Sequence, residues 1–382
     1  MWTRSLNERL LKLASQFPAV LILGPRQVGK TTVAKMTFPD SDYLDLEDPL
    51  IQDLVTKDIN YHLTKSQKKP VILDEAQVIP PVFSALRSII DKNRKVNGQY
   101  IILGSAQPTL IRSISESLAG RVGVIEMSPL MMQEIQNFDY KTVWLKGGFP
   151  DALQGDFRSW WNAYLRTFIE RDLKIWGIDT DPLLMNRILI MIAHQQGGIL
   201  NSSELGRSLG VSYHTVNKYL NILEETFVIR KLQPFYKNIK KRLVKSPKVY
   251  IRDTGLLHHL LNINSIEELE CHPIKGQSWE TFVIEEIMRR EEIINPYTRY
   301  YFWRTQVGAE IDLILERGGI LSPIEIKSGM MVQAGHIKKL TEAMKDIEAK
   351  FAYIINQTQD QKQELDPSVS LIPFASDYHW LP

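Results

Sequence analysis

Gly24-Pro-Arg-Gln-Val-Gly29-Lys30-Thr31-Thr32 satisfies the spacing G-x-x-x-x-G-K-[ST] in full, and every residue type in it answers to phosphate chemistry. Gly24 and Gly29 let backbone N–H groups approach phosphate oxygens. Lys30 can reach the β- and γ-phosphates, and Thr31, followed by Thr32, offers its hydroxyl to Mg2+. The flanks match the motif as well. Ala19 to Leu23 is a short apolar, partly β-branched run that reads as a strand, and the residues after Thr32 are compatible with a helix. A glycine turn with a chance lysine is the alternative, and it leaves the strand and the helix unexplained.

A second signal lies at Val71-Ile-Leu73-Asp74-Glu75, where an apolar strand delivers two carboxylates at its C-terminal end. Asp74 suits a Mg2+ ion held through water, and Glu75 suits polarising an attacking water, so the pair points to hydrolysis. An ordinary acidic strand end is the competing reading. Tyr100 to Leu103 forms another apolar strand and leads to Ser105 and Gln107, candidates for sensing a γ-phosphate. Arg121 follows Ser117-Leu-Ala-Gly120 and could reach phosphate in its own or a neighbouring subunit, or form a surface ion pair.

The middle of the chain carries helical patterns. Trp161, Leu165, Phe168 and Leu173 fall close to helical spacing after Gly147-Gly-Phe-Pro150, which predicts a packing helix or lid. Glu170, Arg171 and Asp172 read as a solvated face or an internal ion pair and are left out of the site. Helices are expected over 183–194, 202–209 and 213–223, with Leu205, Leu209, Val216 and Leu220 turned inward and Gly210 in the turn. With strands at 227–232 and 248–251 this predicts a winged helix. Tyr213, His214, Asn217 and Lys218, beside Ser212, would face a DNA groove, and Lys240, Lys241 and Arg242 lead a basic wing that includes Lys237, Lys245 and Lys248. A protein-docking module with a solvated basic loop is the alternative.

Near the C-terminus, a helical segment with Glu280 near its start precedes strands at 300–303, 310–315 and 323–327. Alternation places Glu325 and Lys327 on one face, with Asp312 on the neighbouring strand. The pattern resembles the PD-(D/E)xK signature of restriction-endonuclease-like proteins. That resemblance implies metal binding by Asp312, Glu325 and Glu280, and water activation by Lys327. Solvated strand residues, or the same fold without catalysis, are the alternatives. His258, His259, Cys271 and His272 lack a partner set for metal.

These elements need room. A chain of 382 residues suggests two to three domains, and its 44% hydrophobic and 24% charged residues are those of an ordinary folded, water-soluble protein. With 46 Lys+Arg against 44 Asp+Glu, the net charge of +2 gives no global pull toward polyanions, so any such site must be a local cluster. The single cysteine, Cys271, excludes an intrachain disulfide. Apolar runs such as Ile188 to Ala193 fall far short of a membrane span, and Arg9 and Lys12 interrupt the N-terminal leucines, so neither membrane insertion nor export is expected. Residues 356–366 read as a surface loop.

Taken together, Gly24 to Thr32, Leu73-Asp-Glu-Ala-Gln77, Ser117 to Arg121, Gly147-Gly-Phe-Pro150, Glu170-Arg-Asp172 and Lys248-Val-Tyr-Ile-Arg-Asp253 resemble AAA-type P-loop ATPases with a C-terminal domain of unknown function. Members often carry threonine where this chain has Leu103, which leaves Ser105 as the sensor hydroxyl. The expectation is an α/β protein, a P-loop NTPase parallel sheet with a helical lid, then a winged helix and a C-terminal α/β restriction-endonuclease-like domain. The corresponding ranges are 1–130, 131–180, 181–252 and 253–382. ATP and Mg2+ are the expected cofactors, DNA the expected partner, with a homo-oligomer or protein partner open, and the expected location is cytoplasmic.

Overall fold

The computed structural model describes residues 2–65, 68–105, 114, 116–236, 243–358 and 362–374. In the first third, strands β1 (Ala19–Gly24), β2 (Asp42–Asp45), β3 (Val71–Asp74), β4 (Tyr100–Ser105) and β5 (Val122–Glu126) form an all-parallel sheet in the order β2-β3-β4-β1-β5. Helices α1 (Leu6–Gln16), α2 (Lys30–Thr37), α3 (Pro49–Lys57), α4 (Ile59–Thr64) and α5 (Pro81–Lys92) accompany it. All six residues of β1 are buried, as expected of a parallel strand covered on both faces. Its side chains divide between two cores by alternation. Val20 and Ile22 join the core of Leu6, Leu10 and Ala14, the buried face of α1, while Leu21 and Leu23 join that of Phe83 and Leu86 from α5.

Helices α6 (Tyr140–Lys146), α7 (Pro150–Gln154) and α8 (Phe157–Thr167) follow, and then a π-helical turn at Phe168–Asp172. Phe149, Trp160, Trp161 and Tyr164 form one aromatic cluster with ring centroids 4.7 to 5.4 Å apart, which gives the tryptophan-rich segment its packing role.

Helices α9 (Pro182–His194), α10 (Ser202–Leu209) and α11 (Tyr213–Glu225) lie close to the predicted ranges. Leu205, Leu209, Val216 and Leu220 are all buried. Asn201 and Ser212 cap α10 and α11 through their side-chain oxygens, and Gly210 adopts the left-handed conformation between the helices. Three antiparallel strands accompany them, β6 (Gly198–Ile199), β7 (Ile229–Pro234) and β8 (Lys248–Ile251), in the order β7-β8-β6.

This small sheet does not end at residue 252. Beyond α12 (Thr254–Leu260), α13 (Ile266–Cys271) and α14 (Lys275–Ile294), β9 (Arg299–Arg304) pairs in parallel with β7, aligning Gln233 with Tyr301 and Pro234 with Phe302. With β10 (Glu310–Arg317), β11 (Ile320–Ile326), β12 (Ala352–Asn356), β13 (Gln363–Asp366) and β14 (Val369–Pro373) the result is a nine-stranded mixed sheet, β13-β14-β12-β11-β10-β9-β7-β8-β6. Helix α15 (Ala334–Ile347) packs Leu340, Met344 and Ile347 into its core. Part of the loop expected over 356–366 is strand, because Gln363 to Asp366 pairs with β14. Helix α14 is buried on nearly every side, with Trp279, Phe282, Val283 and Ile287 in one core. Among the described residues no helix is long and apolar enough to cross a membrane.

Candidate functional site

At the C-terminal edge of the parallel sheet, the chain leaves β1 at Gly24 and turns into α2 at Gly29. Gly24 has no room for a side chain, since a Cβ there would lie 2.2 Å from the Met127 carbonyl oxygen. Gly29 has φ +94°, a left-handed conformation that glycine adopts without penalty. The loop therefore ends on the N-terminus of α2, where free N–H groups favour an anion. Thr32 is exposed on the first turn of that helix.

Lys30 is buried and donates to the carbonyl oxygens of Gly24 (3.1 Å) and Pro25 (2.8 Å). Burial brings its ammonium down to about 8, with Glu75 and Asp74 opposing the shift. The Thr31 hydroxyl donates to Asp74 Oδ2 at 2.6 Å, and the Tyr43 hydroxyl donates to the same oxygen at 2.9 Å. A threonine hydroxyl and an aspartate oxygen at a helix N-terminus are hard donors that fit Mg2+.

Glu75 has φ +48° and is thereby turned from the strand line. Its carboxylate accepts from the Ser105 hydroxyl at 3.2 Å and from the Gln77 amide. The parallel sheet thus brings Gly24, Gly29, Lys30, Thr31, Asp74, Glu75 and Ser105 to one edge. Gln107 lies outside the described residues.

Arg121 does not join this group in its own chain. Its carbonyl accepts from the Ala19 N–H, so it sits at the opposite end of β1, about 17 Å along the strand from Gly24. Its guanidinium holds Asp91 through two bonds of 2.7 and 2.9 Å. The strand order places it away from the phosphate loop of its own chain, and the surface ion pair that the sequence also allowed is the one it forms.

Four polar residues that the sequence patterns left outside the site touch this loop or its acid. Tyr43 is one. Arg4 is a second, donating to the Val28 carbonyl (3.0 Å) and the Ser128 carbonyl (2.7 Å) while paired with Glu134. The remaining two are Arg26 and Asp172. The Arg26 guanidinium bonds to Asp172, lies 3.8 Å from Glu47, and stands 5.8 Å from the Trp176 ring centroid. Asp172 is 3% exposed, and burial raises its pKa against the pull of Arg26 and Arg171. The π-turn carries this carboxylate to the loop, so Asp172 of the Glu170-Arg-Asp172 run forms a buried ion pair with Arg26. No local pattern announces it, because the partners are 146 residues apart.

On α11, Tyr213 and His214 are exposed, with ring centroids 3.8 Å apart. Two neighbours are already engaged. Asn217 accepts from the Ser202 hydroxyl at 2.7 Å, and Lys218 donates to the Asp179 carbonyl at 2.9 Å. Lys237, Lys240, Lys241 and Arg242 lie outside the described residues. Lys245 is exposed, but Lys248 is 2% exposed and points inward, which removes it from the expected basic wing.

Lys248 enters the C-terminal carboxylates instead. Its ammonium lies 2.9 Å from Glu280 Oε1, 2.6 Å from Glu310 Oε1 and 4.0 Å from Asp312 Oδ1. The Tyr250 hydroxyl also donates to Glu280, at 2.6 Å. Asp312 Oδ2 accepts from the Ile326 N–H at 2.8 Å, and Lys327 pairs with Glu325. Burial raises the pKa of Asp312 well above the usual carboxylate range, with Glu325 and Glu280 adding to it. The structure does bring Asp312, Glu325, Glu280 and Lys327 together, as expected, but around an ammonium. Among the described residues no group of three or more metal-ligating side chains is arranged to hold a metal, and the metal assignment of this cluster does not fit. His258 is likewise structural, contacting the Leu145 carbonyl and the Ser278 hydroxyl inside the core.

Comparison with known proteins divides the chain in three. Residues 16–136 match the family described as AAA domain, 137–267 match Domain of unknown function (DUF8612), and 275–376 match Domain of unknown function (DUF4143). Uncharacterized protein Rv2008c of Mycobacterium tuberculosis and Uncharacterized protein Mb2031c of Mycobacterium bovis are each 39% identical over 332 residues, 85% of this chain and 73% of theirs. An uncharacterized protein of Haemophilus influenzae is 25% identical over 227 residues, 53% of this chain and 55% of its own. Among solved structures, the Walker-type ATPase PABY2304 of Pyrococcus abyssi aligns with a TM-score of 0.47 at 14% identity, over 67% of this chain and 94% of that one.

Proposed function

This chain belongs to the family of the mycobacterial protein Rv2008c, and on that footing we propose that it binds ATP with Mg2+, hydrolyses it, and uses the cycle to govern a DNA contact. The observation that carries the ATPase reading is the continuous set Thr31–Asp74 and Glu75–Ser105 beside Lys30, at the edge of an AAA domain. Mg2+, when held there, would supply charge neutralisation to the transferred phosphoryl group. The chain's own residues do the rest. Lys30 exchanges its carbonyl partners for phosphate oxygens, Thr31 and Asp74 hold the metal side, and Glu75 takes a proton from the attacking water while Ser105 and Gln77 keep its carboxylate aimed.

Lys30→Ala is expected to abolish ATP binding. Glu75→Gln is expected to keep binding and lose about 10²- to 10⁴-fold in turnover, measured by phosphate release. Undiminished turnover in Glu75→Gln would remove Glu75 from the role, and no phosphate release by the wild type would end the hydrolysis reading.

The DNA reading is supported by the order α9–α10–α11 followed by β7 and β8, which is that of a winged helix, and by the exposed Tyr213 and His214 at the start of α11. Its test is duplex binding measured at two salt concentrations, with ATP-loaded Glu75→Gln compared with nucleotide-free protein. A steep salt slope, weakened by Tyr213→Ala and His214→Ala, is expected. Salt-independent binding, or none, would leave an ATP-dependent protein-docking module. The seating of Lys248 favours a C-terminal domain that is nuclease-like in outline but does not cleave DNA.

A further inference from the structure

The carboxylates of Glu280, Glu310, Asp312 and Glu325 come from three elements, α14, β10 and β11, and a fourth element fills the space between them. Strand β8 pairs with β7 so that Lys248 stands opposite Leu232, and its side chain runs inward past the rings of Tyr250 and Phe302, 5.9 and 5.6 Å from their centroids. At 2% exposure the side chain is buried along its whole length. Burial works against the ammonium, yet Glu280 foremost, then Tyr250, Asp312 and Glu310, keep it charged.

The charges around it are nearly closed. Lys248, Lys327 and Arg304, the last 3.2 Å from Glu310, set three cations against the four carboxylates. A divalent ion bound to Glu280 and Glu310 would need the oxygens that Lys248 already holds, and would sit beside a unit positive charge within a poorly solvated pocket.

We propose that Lys248 is a built-in counter-ion, so that the Glu280–Glu310–Asp312–Glu325 cluster takes an ammonium in place of a divalent cation and serves to join the α10–α11 module to the C-terminal sheet. The cluster then has no metal chemistry in the native chain. It also accounts for the inward turn of a lysine that follows a lysine-rich stretch. The inference is independent of the nucleotide reading, because none of these residues touches the P-loop.

The experiment is a Mn2+ titration of the nucleotide-free full chain, read by electron paramagnetic resonance, on wild type, Asp312→Asn, Lys248→Met and the double variant Lys248→Met/Asp312→Asn. Wild type and Asp312→Asn are expected to give the same isotherm. Lys248→Met is expected to gain one site, at least about a hundredfold tighter than anything Asp312-dependent in the wild type, and the double variant to lose it. Should Lys248→Met fail to fold alone, recovery of its folding by Mn2+ supports the proposal, since a ligand that binds only the folded state stabilises it. Three results would overturn it: Mn2+ binding by the wild type that Asp312→Asn removes, a folded Lys248→Met that binds no Mn2+, or an unfolded one that Mn2+ does not recover. Loss of ATP turnover in Lys30→Ala bears on the other site alone, so the two readings fail separately.

Discussion

Glu286 gives a sharp test of how the domains are joined. It lies on α14 against the segment that follows β5, and its two oxygens fare differently. Oε2 accepts from the Met132 N–H at 3.0 Å, while Oε1 has no hydrogen-bond partner among the described residues and stands 4.0 Å from Arg289 Nη1. Burial raises the carboxyl from 4.5 to about 7, with Arg289 and the Met132 N–H opposing and Glu134 and Glu285 reinforcing. Below pH 4.5 the group is protonated in folded and unfolded chains alike and contributes no pH dependence. Between 4.5 and 7 the unfolded chain releases the proton and the folded chain keeps it, so stability falls as pH rises and then levels off above 7. At about 1.4 kcal/mol per pH unit, the loss amounts to about 3 kcal/mol. Glu286→Gln stays neutral throughout and retains an acceptor for Met132. It should match wild type near pH 4 and exceed it by roughly 3 kcal/mol at pH 8, in urea unfolding followed by circular dichroism. Glu292, also raised to about 7 by burial and by Glu126, adds a slope of its own that cancels in the comparison. A difference that is constant with pH, or a Gln variant less stable than wild type at pH 8, would refute the reasoning and mean that Glu286 is ionised and paired with Arg289.

Four further substitutions test the elements around the nucleotide loop and the turn between α10 and α11. Removing Arg26 or Asp172 breaks a buried pair that would ordinarily cost about 3 to 5 kcal/mol, and the 20% exposure of the Arg26 side chain brings the expectation to about 2 kcal/mol. A double-mutant cycle with Arg26→Ala and Asp172→Ala should show that coupling, and additive effects would deny it. Gly24→Ala forces a Cβ against the Met127 carbonyl; we expect a loss of about 2 kcal/mol and a much smaller thermal shift on adding ATP, and a wild-type shift would contradict this. Ser212→Ala removes the acceptor for the Thr215 N–H and should cost about 1 kcal/mol, read from the unfolding midpoint, with ATP turnover unchanged.

What the sequence made legible was local. The phosphate loop could be read because its chemistry is written in nine consecutive residues, and α10 because the inward Leu205 and Leu209 and the following Gly210 mark its face and end. Asp74 and Glu75 were legible for the same reason, since a strand end is a local event. Most of what the sequence hid required knowing which strands are neighbours. Arg121 left a phosphate contact and a surface ion pair equally open until the order β4-β1-β5 placed it at the far end of β1, beside Asp91. Lys248 shares a lysine-rich stretch with exposed Lys245, and only its pairing on β8 turns it inward. Gln363 to Asp366 is too polar to read as a strand, and it is one because β14 offers it an edge. Arg26 and Asp172 meet across the chain through a π-turn that no periodicity predicts.

The same dependence on strand order shows how a change at the nucleotide could be felt elsewhere. Glu126 ends β5 one residue before Met127, whose N–H bonds to Leu23 and whose carbonyl crowds Gly24. The Glu126 carboxylate reaches Arg252 at 2.7 Å, and Arg252 also reaches Glu285 on α14, which Arg230 of β7 holds from the other side. The next residue, Asp253, caps α12 and accepts from the Gly148 N–H at 2.9 Å. This seam is ionic where it could have been apolar. An apolar seam of equal area would hold as well or better, but it would tolerate sliding, whereas directional pairs favour one register. Arg252→Met should therefore retain phosphate release within about twofold, because it touches none of the nucleotide residues, yet abolish the proposed difference in DNA affinity between ATP-loaded and nucleotide-free protein. Were that difference to persist in a folded Arg252→Met, the coupling would have to run through the Arg26–Asp172 contact instead, and the double-mutant cycle there would become the deciding measurement.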